Sequence, residues 1–225
     1  LVIGYAAQTF VIGAFALYSV QYLTAVFNWN ENEAGISFGA VTLFCGLFGS
    51  AGGGILVDKM ISKLSSQTRI QYNLTSLDQR TIDNIKVYSV YKLISILGVL
   101  ALPFGLIPFY FSNEFNFFFF ICLCELVIFL TLSPINSAIM WTVSFELVPL
   151  AVAAGIVAIH VLGDGISPII IGNCLTNTDD DWNACMGYGA WSLVVPVILW
   201  SIGWYKSYNR YQSQILNNSL RSSLM

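Results

Sequence analysis

Three ionisable residues lie inside long apolar stretches of this sequence: Glu125, His160 and Asp164. A charge in hydrocarbon costs roughly 3 kcal/mol or more unless it is paired or faces a cavity. His160 and Asp164 are four residues apart, so on a helix their side chains meet one turn from each other. At about 100° per residue Ser167 joins that stripe, and Asn136 shares a face with Glu125. Two acids brought close in a low dielectric cannot easily both ionise, and histidine exchanges its proton near neutrality. These five residues therefore read as a proton or substrate site. The competing reading is a structural polar cluster that fixes helix packing, its acids satisfied by backbone or hydroxyl donors.

Other motifs carry less chemistry. Gly35-Ile36-Ser37-Phe38-Gly39 matches the nucleophile-elbow pattern, but that elbow needs a strand before it, a helix after it and a histidine partner. Here it sits at the mouth of an apolar helix, where small residues serve close packing. Asp179-Asp180-Asp181 reads as a solvated acidic loop rather than a metal site. Walker A, H-E-x-x-H and C-x-x-C patterns are lacking, so no enzyme activity, cofactor or metal is expected. Cys45, Cys122 and Cys124 fall in apolar runs and read as small hydrophobes, whereas Cys174 and Cys185 bracket one short loop where a disulfide is allowed.

The elements that must hold these residues follow from composition. Of 225 residues, 56% are hydrophobic and only 9% charged, with mean hydropathy +0.73. Soluble domains carry about 25% charged residues, so a soluble globule, a disordered chain and a basic nucleic-acid binder are all excluded. Crossing the hydrocarbon takes about 20 apolar residues. Such runs occur at 1–27, 34–57, 87–111, 115–140, 150–174 and 186–205, which predicts an all-α membrane protein with six spans. They are far longer than the ~10 residues of barrel strands and do not alternate. The first run begins at Leu1 with no polar flank, which reads as a fragment of a longer chain.

Charge placement supports that count. The connections after the first, third and fifth spans hold Glu31, Glu33, Glu114 and the Asp179–Asp181 run, and no Lys or Arg. All nine basic residues lie at the other end, in the 58–86 loop and the 206–225 tail or at their edges. The positive-inside rule makes that end cytosolic, so the sequons at 73–75 and 217–219 should stay unmodified. By helical rise, Glu125 and Asp164 both sit roughly 14 Å below the acidic end. Neighbouring antiparallel helices would then bring Glu125, His160 and Asp164 together in one cavity. Pro134 and Pro168 interrupt the two spans concerned.

The second span ends in two small stripes, Cys45/Gly49/Gly53 and Gly46/Ser50/Gly54, which permit close helix approach, static or sliding. Gly54 followed by Asp58-Lys59 resembles the motif A repeat of the major facilitator superfamily, in its C-terminal half. Gly13 to Tyr18, Gln21-Tyr22-Leu23 and Phe38 to Thr42 resemble the seventh and eighth helices of Spinster-like transporters. Ser133-Pro134-Ile135-Asn136, Val148-Pro149 and the run His160 to Pro168 resemble the tenth and eleventh. The resemblance implies a C-terminal six-helix bundle lacking its N-terminal partner half. It implies a proton- or gradient-coupled symporter or antiporter moving a small amphipathic or lipid substrate, such as a sphingolipid or lysophospholipid, across a plasma or lysosomal/vacuolar membrane. It makes Gly54, Asp58 and Lys59 a gating contact at the cytosolic side. Residues 150–155 lack the Arg that Spinster-like transporters usually place after Val-Pro. That departure keeps open a transport-inactive scaffold or receptor-like protein of the same fold.

Overall fold

The computed structural model describes residues 1–72, 76–111 and 113–223; the sequon side chains at 73–75 and 217–219 lie outside what it describes. The described residues are all-helical in their regular structure, with six helical segments among them long and apolar enough to cross a membrane, and the chain is a multi-pass membrane protein. The first four spans are α1 (Val2–Phe27), α2 (Glu31–Gln71), α3 (Gln79–Leu106, prolonged by a 3-10 turn at Ile107–Phe109) and α4 (Glu114–Trp141). The fifth is α5 (Val148–Ile159), one π-helical turn at His160–Asp164, and α6 (Ser167–Asn177). The sixth is α7 (Trp182–Trp191) and α8 (Val194–Ser223).

Polar residues between the apolar runs set the helix starts. Asn30, Asp78, Asn113 and Asp181 are N-caps whose side chains accept backbone N–H groups of the following turn. Asn28, at φ 58°, ends α1 in the left-handed conformation that asparagine tolerates.

Two sequence expectations change. The 58–86 segment is mostly helix: α2 continues unbroken to Gln71 and α3 starts at Gln79. Likewise the tail is helical through Ser223. Their shared reason is a second, smaller core beyond the membrane-length runs. Ile85, Tyr88, Tyr211 and Ile215 are buried together, with Leu64 and Trp204 against them. The Thr68 and Tyr211 hydroxyls bond at 2.8 Å and the Tyr88 and Tyr211 rings stack at 5.4 Å. Tertiary packing holds helical a stretch whose polar composition alone reads as loop.

The main core joins the spans. Trp200, Tyr22 and Phe117 are fully buried, and Tyr22 stacks on Phe117 at 5.0 Å. α2 lies directly on α4, because a Cβ at Gly53 would stand 2.0 Å from the Leu130 carbonyl oxygen. The Cys45/Gly49/Gly53 stripe thus packs on α4, with all three residues buried. Coverage differs among spans: 39–44% of residues are buried in the apolar windows of the first, third, fourth and sixth, against 22% in the second and 6% in the fifth.

Candidate functional site

Glu125 projects from α4 and is 6% exposed. Its Oε1 accepts the Thr42 hydroxyl of α2 at 3.1 Å, while Oε2 is buried without a partner. The glycine-mediated approach of α2 to α4 is what carries Thr42 into range. Beside the carboxyl is a cleft of about 30 Å³ walled by Ile12, Phe15, Phe38, Thr42 and Phe129. That admits about one water molecule. The space suits a proton and its carrier, not a lipid. Between α1 and α4, the buried Gln8 amide pairs with the Thr131 hydroxyl and donates to the Ile128 carbonyl at 3.0 Å.

His160 and Asp164 occupy the π turn. Nδ1 of His160 and Oδ2 of Asp164 are 2.9 Å apart, with side chains 62% and 34% exposed, while Asp164 Oδ1 is buried and unpartnered. The turn widens where Gly165 N donates to the His160 carbonyl at 2.9 Å. Such π bulges interrupt the regular ladder and favour functional positions. Here α1 supports the interruption: Thr9 Oγ donates to the Ile159 carbonyl at 3.2 Å, across 150 residues of sequence. Contact this close requires glycine. A Cβ at Gly163 would meet Thr9 Oγ1 at 2.0 Å, and one at Gly13 would meet Asp164 Cα at 2.5 Å.

The cleft beside Glu125 is not lined by His160 or Asp164. Among the described residues no hydrogen bond or ion pair joins Glu125 to His160 or Asp164. Equal depth does not make neighbours: α1 is the main neighbour of the π turn, and Glu125 turns toward α2. Ser167 is fully buried and donates to the Asp164 backbone carbonyl at 3.0 Å, so it packs rather than lines a cavity. Asn136 is exposed and reaches the Tyr5 hydroxyl, about 16 Å along α4 from Glu125. Asp58 is not at a helix end, because α2 runs on for thirteen more residues to Gln71. Asp58 and Lys59 are exposed, and Gly54 faces Ser133 of α4. Cys174 and Cys185 are disulfide-bonded, Cα–Cα 5.7 Å, tying α6 to α7. Thr42, Thr9, Gln8 and Thr131 were not singled out in sequence. Each works through a partner more than 80 positions away, and only the oddity of polar residues in apolar runs marks them.

No protein-family model matches the chain. Curated relatives do. The chain is 27% identical over 93% of its length to an Arabidopsis thaliana protein described as probable sphingolipid transporter spinster homolog 2. It is 28% identical over 76% of its length to spinster homolog 3, and 25% over 90% to spinster homolog 1, both from the same plant. The resemblance is to Spinster-like transporters. The aligned part spans only 29–38% of those relatives' lengths.

Proposed function

We propose that this Spinster-like chain is the C-terminal half of a secondary active transporter for an amphipathic lipid, in a plasma or lysosomal/vacuolar membrane. The observation that carries the reading is Glu125, a buried carboxyl with one free oxygen in a water-sized cleft. A buried acid is retained at a cost, and proton exchange is the work that suits the space around it. The substrate would pass elsewhere, between this bundle and a second six-helix half, with His160 and Asp164 facing the passage. The relatives are described as probable sphingolipid transporters, and the abundant aromatic and aliphatic surface here suits an acyl chain.

The test is uptake by the full-length protein in vesicles across an imposed pH step. Glu125→Gln is expected to abolish gradient-driven accumulation while substrate exchange persists. Full accumulation by that variant would make Glu125 a packing residue. Asp58 is proposed to pair with a cation of the second half; Asp58→Asn is then expected to lower uptake several-fold at normal membrane abundance, and unchanged uptake would remove the gating role.

A further inference from the structure

A cleft of about 290 Å³ opens between α2 and α3 at the basic end of the molecule, lined by Lys63, Gln67, Tyr88, Ser89 and Lys92 among others. It shares no lining residue with the Glu125 cleft. Two lysines border one space, and among the described residues neither has a carboxylate within ion-pair distance. Elsewhere on α3, Asp83 is engaged with Lys86, whose ammonium also lies over the Trp141 ring. Lys92 is half-buried, with its ammonium 5.9 Å from the Tyr88 ring centre. In the same wall Ser89 is 1% exposed and its hydroxyl has no hydrogen-bond partner. Like charges gathered without an anion are unfavourable, and so is a buried hydroxyl left unpaired. One anion with several acceptor oxygens would relieve both.

Position says what kind of anion. Residues 93–106 of α3 and 34–57 of α2 are uncharged, so Lys63 and Lys92 stand at the edge of the hydrocarbon. On the other side of Tyr88 runs a second groove of about 310 Å³, lined by Ser201, Trp204, Tyr205 and Tyr208. Aromatic side chains at this level belong to the headgroup zone of a bilayer. Basic pockets between helices at that level take anionic headgroups. We infer that Lys63, Lys92 and Ser89 bind the phosphate of an anionic membrane phospholipid, whose glycerol and first methylenes lie along the Trp204–Tyr208 groove. Lysine suits this role as a point charge that follows a mobile phosphate. Such a lipid would clamp the extension of α2 to α3 and α8, a site apart from transport substrate.

The experiment uses the full-length protein in zwitterionic detergent and native mass spectrometry. Dioctanoyl phosphatidic acid is compared with dioctanoyl phosphatidylcholine and with inorganic phosphate. Phosphatidic acid is expected to bind about tenfold or more tightly than phosphatidylcholine. The Lys63→Ala/Lys92→Ala variant should lose that preference, while Lys63→Arg/Lys92→Arg and Glu125→Gln retain it. Ser89→Ala should weaken it several-fold without loss of folding, read from a melting temperature in lipid-free detergent that does not fall. Undiminished preference in the double alanine variant would overturn the site. So would competition by inorganic phosphate as effective as the lipid itself, since the occupant would then be a soluble anion.

Discussion

Single side chains in this protein do opposite things according to what stands beside them, and glycine shows it most plainly. Gly53 leaves no room: its Cβ would stand 2.0 Å from a carbonyl oxygen that belongs to backbone and cannot swing away. Gly35, on the same helix, has nothing within 4 Å. Gly53→Ala is expected to cost about 1–3 kcal/mol as α2 is pushed off α4, and it should disturb the Thr42–Glu125 bond in the same movement. Gly35→Ala should be neutral or slightly stabilising, since alanine favours helix. Melting curves of the two variants in detergent decide it; equal melting temperatures would refute the close approach. Both glycines look alike in sequence, but only the stripe they fall on separates them. The same limit applies to the polar residues. Glu125 was legible because an acid in an apolar run is costly wherever it points. Thr42 was not, because a threonine in a membrane helix is ordinarily satisfied by its own backbone.

At the level of helices, spans were readable and their extensions were not. A run of 20 apolar residues has one reading in a bilayer, and the six windows recover it. Residues 58–71 have no such run, and their polar composition resembles loop. They are helical because Ile85, Tyr88, Tyr211 and Ile215 bring three helix ends onto one small core. That predicts cooperative loosening. Tyr211→Ala removes a buried ring and the Thr68 bond, a loss of about 2–4 kcal/mol locally, and amide exchange at 60–71 should accelerate by an order of magnitude or more. Exchange in the membrane runs of α3 and α4 should stay slow. If exchange at 60–71 does not change, α2 continues on its own propensity and the second core is incidental. The π turn was equally hidden. The sequence marks Pro168 as an interruption of the fifth span, but which turn gives way is set by Gly13 and Thr9 of α1.

For the whole molecule, the uneven cover of the spans bears on where a second half would sit. The fifth span has 6% of its apolar window buried, and it carries the exposed His160–Asp164 pair. Facing lipid, a charged residue costs roughly 3 kcal/mol, and the 2.9 Å pairing of His160 with Asp164 would have to offset it. Facing a water-filled passage between two six-helix halves it is solvated, which is the arrangement proposed here. Ile198 on α8 is 54% exposed but stands among apolar neighbours and is expected to face acyl chains. The two surfaces should therefore differ in their access to water. In a full-length background without reactive cysteines, His160→Cys and Val161→Cys should react with a charged methanethiosulfonate reagent applied to open vesicles, and Ile198→Cys should not. Added lipid substrate should slow labelling at 160 if the passage is the substrate's route. Labelling is read as a mass shift of the intact protein. Should 160 and 161 resist the reagent as fully as 198, the fifth span faces lipid or is sealed by protein, and His160 and Asp164 hold the π turn together without meeting any substrate.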